Sequence, residues 1–240
     1  NQLQLDSKSL VMEIASNDGY LLQHFVAKDI PVLGIEPAAN VAKAALAKGI
    51  RTTVQFFGED AANEILSEYG PADLLLGNNV LAHVPDINDF IAGMKALLNQ
   101  DGVLTMEFPH LLRLIQENQF DTIYHEHFSY LSFFTVEKMF AHHGVTLFDV
   151  EELPSHGGSL RIFGRHTENT TLEISPRVKD MRNFEIEHGI NDLKLYQDFE
   201  EKVKETKRKL LSFLIEKKRE GKQIIGYGAP GKGNTLLNYC

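Results

Sequence analysis

The stretch from Val11 to Glu36, VMEIASNDGYLLQHFVAKDIPVLGIE, restricts the fold more than any other part of the chain. A short apolar run (Val11, Met12, Ile14) leads into a turn of small residues, Ala15-Ser16-Asn17-Asp18-Gly19. Tyr20, Leu21, Leu22, Phe25 and Val26 then recur at helical spacing, and Val32 to Ile35 forms a second apolar run ending in Glu36. This order predicts strand, tight turn, helix, strand: the opening unit of a doubly wound parallel α/β sheet. Ligands of such sheets lie beyond the strand carboxyl ends, where the turn and Glu36 both fall. Small residues let the backbone approach a ligand, and a carboxylate can accept both hydroxyls of a ribose. The site is read as one for a nucleoside.

A dinucleotide site uses G-x-G-x-x-G to rest a pyrophosphate on a helix N-terminus. Here the first two glycines are absent, and Glu13 and Asp18 place negative charge beside the turn. Such a turn repels a diphosphate and favours a cation. The segment Glu13-Ile14-Ala15-Ser16-Asn17-Asp18-Gly19 resembles the E-x-G-x-x-x-G motif that binds S-adenosylmethionine in class I methyltransferases, with Ala15 in place of the first glycine. The resemblance implies cofactor contacts from Glu13, Ala15, Asn17, Gly19 and, at the end of the second strand, Glu36.

The 240 residues suffice for one sizeable core and part of another domain. A net charge of −9 argues against a non-specific nucleic-acid binder, which needs surplus cations to displace counterions from phosphates. The single cysteine, Cys240, excludes an internal disulfide or a cysteine-rich metal site within this stretch. No apolar run approaches a membrane span and no signal peptide is visible, so a cytoplasmic protein without a membrane partner is expected. The chain begins at Asn1 and stops inside what reads as a strand-turn-helix unit, so truncation at both ends is expected.

The αβ alternation continues. Helices are predicted over 38–48, 59–69 and 86–98, and strands over 51–54, 73–77 and 102–108. Pro109 to Phe134 has no sustained period and is rich in His, Tyr and Phe, a composition that in a long loop tends to carry function. A helix over 135–143 follows, then an expected antiparallel pair, 146–150 and 159–164, joined by Pro154-Ser155-His156-Gly157-Gly158. Asn191 to Arg219 reads as one long amphipathic helix whose Lys and Arg alternate with Glu201, Glu205, Glu216 and Glu220, the pattern of a solvated face. Gln223 to Lys232 reads as a strand and a Gly-rich turn. It fits G-x-G-x-x-G through Gly226, Gly228 and Gly231, and fits a P-loop except for Gly233 at the magnesium-binding position. A packing turn is the third reading. The expected organisation is a methyltransferase domain over 1–166, a helical linker over 167–222, and the start of a truncated C-terminal α/β domain over 223–240.

Eight of the ten histidines fall between His83 and His166, most densely in Tyr124-His125-Glu126-His127. If extended, this run points His125 and His127 to one face. The pair could serve a metal, a structural cluster or acid–base chemistry. No third ligand or H-E-x-x-H helix accompanies it, so no metal site is assigned; acid–base work is preferred because imidazole titrates near neutrality.

Tyr124-His125-Glu126-His127-Phe128-Ser129-Tyr130, together with His156-Gly157-Gly158-Ser159-Leu160-Arg161, resembles the sugar C-methyltransferases, and the likeness extends to Gly226-Tyr227-Gly228 and Lys232-Gly233-Asn234-Thr235. Members methylate carbon 3 of dTDP-linked 4-keto-deoxysugars with S-adenosylmethionine. The resemblance implies a nucleotide-sugar substrate, and zinc only in an N-terminal domain that precedes this region in known members. It implies His127 as the base that creates the carbon nucleophile, Glu126 orienting the substrate, and Tyr124 hydrogen-bonding the sugar or the developing enolate oxygen. His83 would assist from the same cleft or merely cap and pack. Asn78 and Asn79 would hold the methionine end or the sugar, and Lys232 the substrate. Phe57 would pack on adenine or in the core. The alternatives are an O- or N-methyltransferase acting on a small metabolite, an NAD-dependent enzyme built on the Gly226 turn, and a non-catalytic nucleotide-sugar-binding module.

Overall fold

The computed structural model describes residues 3–228 and 230–240; Ala229, within the Gly-rich turn, lies outside the described residues, as do the first two. Seven strands form one sheet: β1 (Val11–Ile14), β2 (Val32–Ile35), β3 (Thr52–Thr53), β4 (Ala72–Asn78), β5 (Leu98–Pro109), β6 (Val145–Leu153) and β7 (Ser159–His166), in the order β3-β2-β1-β4-β5-β7-β6. All neighbours are parallel except at β7, which runs antiparallel to both β5 and β6. The expected antiparallel pair is therefore a single reversed strand inserted beside the last parallel one.

Alternate residues of each central strand enter different cores, because successive side chains point to opposite faces. Met12, Leu33, Leu75 and Leu104 join Ile65 of α3 (Glu59–Tyr69), Ile91 of α4 (Ile87–Leu97) and Phe140 of α6 (Phe133–His142). Val11, Val32, Leu74 and Val103 join Leu22, Ile50 and Ala45 of α2 (Ala39–Ala47). Each fully buried Leu, Ile or Phe stabilises the fold by about 2 kcal/mol. The N-terminus of α4 is fixed by Asp86, whose carboxylate accepts from the backbone N–H groups of Asn88 and Asp89. That of α6 is fixed by Ser132, which accepts from the N–H of Thr135.

The first helix, α1 (Gln23–Val26), is shorter than its apolar spacing suggests. Gly19 adopts a φ of +75° directly against Ile50, and Tyr20 to Leu22 form turns, closed by the Gln23 N–H donating to the Gly19 carbonyl, ahead of the helix. The Pro109–Phe134 stretch is more ordered than expected and contains α5 (Leu111–Gln116) and a single 3₁₀ turn, Phe120–Thr122. α7 (Pro176–Glu187), capped by Ser175, packs beside β6 and α6. The long helix is present as α8 (Leu193–Arg219), followed by α9 (Gly231–Tyr239). The strand expected at Gln223 is not formed. Ile225 is 81% exposed and Tyr227 fully so, and the segment pairs with no strand among the described residues. An apolar run becomes a strand only where an edge can receive its backbone. No helix among the described residues is long and apolar enough to cross a membrane.

The register determines what meets at the sheet's carboxyl edge. Ile14 lies level with Gly77, and Asn78 with Glu107, so the residues following β1, those following β4 and the end of β5 converge. Reversal of β7 brings its first residue, Ser159, opposite Pro109 at the same edge. The β6–β7 loop thus returns to the ligand side.

Candidate active site

A cleft of about 490 Å³ opens at this edge. Ala15 and Asn17 form one wall, Asn78 and Asn79 another, and Tyr20, His83, Glu107 and His156 complete it. Four non-glycine residues of this lining hold left-handed backbone: Ala15 (φ 57°), Asn17 (52°), Asn79 (52°) and His156 (54°). Asparagine and histidine tolerate that region better than alanine, but each such residue still costs about 1 kcal/mol, and such strain concentrates at ligand sites.

Burial changes the charge read from the sequence. Glu13 is 1% exposed, its Oε2 has no hydrogen-bond partner, and desolvation pushes its carboxyl up to about 8. It is neutral at pH 7 until a cation approaches. Asp18 is paired with Lys48 Nζ at 2.5 Å, so it is not a free charge beside the turn. Glu107 faces the cleft while its Oε1 accepts from Ser155 Oγ (2.6 Å) and its Oε2 from the Arg161 guanidinium (2.8 Å). Glu36, at the end of β2, accepts the backbone N–H of Asn17 on Oε2 (3.0 Å) and of Ala38 on Oε1 (2.8 Å). It shapes the β1 turn from behind and does not line the cleft itself. Gly19 likewise shapes the turn, and Phe57 packs edge-on against Phe90 (5.2 Å) on the core side.

A second, smaller cavity of about 130 Å³ adjoins the first; Asn79 and His156 line both. Tyr124, His127, Tyr130 and, from α9, Lys232 also line it. The His127 ring sits 4.6 Å from Tyr124, 5.7 Å from Tyr130 and 4.9 Å from His83. Its Nδ1–H donates to the Thr122 carbonyl at 2.9 Å, which leaves Nε2 unprotonated in the neutral ring. Burial lowers its pKa, outweighing the hydrogen bond to Thr122. His83 Nδ1 is held in the same way by the Glu126 carbonyl at 3.1 Å.

Two expectations change here. Residues 124–127 form a turn, in which the His127 N–H donates to the Tyr124 carbonyl, so His125 and His127 do not share an extended face. His125 and the Glu126 side chain are exposed, and Glu126 engages His83 through its backbone. The sequence reading missed Tyr20, Glu107 and His156. Glu107 was detectable as the polar residue nearest the end of the fifth strand, and His156 stood in the recognised His-Gly-Gly run.

A six-strand parallel sheet carrying one reversed strand, with a cleft at its carboxyl edge fed by the first and fourth strands, is the class I S-adenosylmethionine-dependent methyltransferase fold. Residues 2–150 match the model of the methyltransferase domain family, and residues 154–240 match that of the C-methyltransferase C-terminal domain. The chain belongs to the methyltransferase domain family. It is 36% identical over 242 residues to the C-methyltransferase NovU of Streptomyces niveus; the alignment covers 100% of this chain and 57% of NovU, so the chain spans little more than half of that relative. Among solved structures it is similar to an S-adenosylmethionine-dependent methyltransferase from Anabaena variabilis (14% identity, TM-score 0.54, 69% of this chain and 80% of that one). It is also similar to magnesium protoporphyrin IX methyltransferase from Synechocystis with bound S-adenosylhomocysteine (13% identity, TM-score 0.50, 65% and 73%). At these identities the likenesses concern the fold alone.

Proposed function

We propose that the protein is an S-adenosylmethionine-dependent C-methyltransferase that methylates carbon 3 of a dTDP-linked 4-keto-deoxysugar. The observation that carries this reading is His127: a neutral imidazole with a free Nε2, in a small cavity that adjoins the larger cleft. Methylation of carbon needs a base of moderate strength beside a ketone, whereas oxygen and nitrogen nucleophiles often need little beyond positioning. The similarity to NovU supports transfer to carbon.

The larger cleft fits the methyl donor. Asn79, which lines it, has a buried Oδ1 without a partner; Glu13, which is not itself among the lining residues, carries a buried, orphaned Oε2 on the strand that leads into the lining turn and suits a ligand bearing positive charge. Ala15, Asn17 and Asn78 would hold the donor, with Gly19 and Glu36 fixing the turn around it and Phe57 backing the region from the core. S-adenosylmethionine supplies an electrophilic methyl group on a sulfonium. On the acceptor side, His127 Nε2 takes the proton from carbon 3, and Tyr124 hydrogen-bonds the oxygen on which the enolate charge develops. His83 flanks the His127 ring, while Asn79 and Lys232 position the sugar and its nucleotide. Glu126, exposed here, would act on substrate only from the rim. In this reading residues 1–166 are the methyltransferase domain, 167–222 a helical segment whose first helix, α7, packs into that domain's core through Val178 and Met181, and 223–240 a C-terminal segment that brings Lys232 to the acceptor.

The test is regiochemical. The intact protein is incubated with ¹³C-methyl-labelled donor and a dTDP-4-keto-deoxysugar, and the label is located by NMR. Label on carbon 3 is expected; label on oxygen or nitrogen, or none, would reject the reading.

A further inference from the structure

The β6–β7 loop, Pro154 to Gly158, is held from several sides. Ser155 Oγ donates to Glu107 (2.6 Å), Gln119 Nε2 donates to the Gly157 carbonyl (2.7 Å), and the His110 N–H donates to the Gly158 carbonyl (3.0 Å). A Cβ on Gly157 would press on Gln119 at 2.6 Å, and one on Gly158 on Arg113 at 3.1 Å. Three consecutive residues, His156, Gly157 and Gly158, have positive φ (54°, 82° and 112°). Glycine would satisfy all three positions without strain, yet the first is histidine. His156, exposed, is the one histidine among the described residues that lines both cavities, since His83 lines the larger and His127 the smaller. Its ring takes no hydrogen bond among the described residues, so its N–H is available to a ligand.

We propose that His156 is a catalytic hydrogen-bond donor at the boundary of the two cavities, directed at the acceptor oxygen that gains charge when the adjacent carbon loses its proton. This rests on the function proposed above. A group at that boundary stands where donor methyl and acceptor carbon must meet, and the acceptor atom that accepts a hydrogen bond there is the ketone oxygen beside the reacting carbon. The imidazole keeps its proton throughout: the oxygen accepts a hydrogen bond as charge builds and releases it when the ketone is restored after methyl transfer. His156 and Tyr124 would then be two donors to one developing oxyanion.

The experiment compares His156→Gly, which removes the donor and the strain, with His156→Gln, which keeps an N–H donor at similar reach. Loss of one oxyanion donor lowers kcat by about 100-fold or more. The Gly variant is expected to show that loss, with S-adenosylhomocysteine affinity within about twofold of wild type and a Tm within about 2 °C of it, because relief of strain offsets the added freedom of the unfolded chain. The Gln variant is expected to retain kcat within about tenfold of wild type, as the kept donor preserves most of what the Gly variant loses. Turnover of the Gly variant close to wild type, equal loss in both variants, or a large fall in the Tm of the Gly variant would overturn the proposal. Carbon-3 labelling by the wild-type protein separates the two levels of inference. If it occurs while the Gly variant turns over normally, only the role of His156 fails; if it does not occur, the functional reading falls and this role with it.

Discussion

His110 and Glu185 share a 2.7 Å hydrogen bond between side chains that are 1% and 0% exposed. Glu185, on α7, also accepts the backbone N–H groups of Phe133 and Phe134 at 2.7 Å each. His110 begins the lobe that carries Tyr124 and His127, and Phe133 follows its end, so one carboxylate clamps both ends of that lobe. Glu185→Ala strands these donors in the core, at roughly 1–3 kcal/mol each. A loss of about 3 kcal/mol or more in urea unfolding is expected; a variant as stable as wild type would show that the clamp contributes nothing.

Ala15 occupies a left-handed position where β-branched side chains are rare outliers. Ala15→Gly exchanges strain of about 1 kcal/mol for unfolded-state entropy of similar size, so its Tm should barely move. Ala15→Val places a β-branched side chain at the same φ and should cost about 2 kcal/mol, lowering Tm by several degrees. Equal Tm values for the Gly and Val variants would mean that the turn relaxes out of this conformation.

Glu13 sets a pH dependence whose sign follows from its burial. In the unfolded chain its carboxyl ionises near 4.5, and in the folded protein only near 8. Between these values the folded state holds a proton that the unfolded state has released, so folding stability falls as pH rises, and the fall is complete above about 8. Glu13→Gln should flatten that slope and be more stable than wild type at about pH 8.5. The same variant should weaken binding of the cationic S-adenosylmethionine more than that of S-adenosylhomocysteine, by calorimetry. An unchanged slope would place the buried proton elsewhere.

The pH profile of turnover has its own expected sign. His127 must be neutral to act as a base, and desolvation lowers its pKa below the ordinary 6.5. The acid limb of kcat/KM should therefore have its midpoint below 6.5, with activity lost as pH falls through it. A midpoint above that ordinary value would assign the limb to a different group.

Much of the fold was legible because its apolar runs end at unambiguous turn signals: Glu59 to Tyr69 reads as a helix stopped by Gly70-Pro71, and α3 has those bounds. α7 went unread because Val178, Met181 and Phe184 are scattered among charged residues, and burial there is decided by packing on β6 and α6. The run after Gln223 misled because a strand is defined by its neighbour, which one segment cannot reveal. The site divides along similar lines. Ala15, Asn17, Asn78, Asn79 and His127, which line the two cavities, could be named because position along a strand or motif places them. His156 was not, because its place depends on the reversal of β7, and neither Glu13's retained proton nor the turn that exposes Glu126 can be read from residue order.

Solvent exchange at the acceptor carbon tests the central claim most directly. The intact protein, saturated with S-adenosylhomocysteine so that no methyl can be transferred, is incubated with the 4-keto sugar in deuterium oxide and carbon 3 is followed by NMR. Deuterium should enter that position with the wild-type protein and roughly 100-fold or more slowly with His127→Gln, the scale of a positioned general base. Equal exchange by the two proteins, or none above the buffer rate with wild type, would contradict the assignment of His127 as the base that makes the carbon nucleophilic.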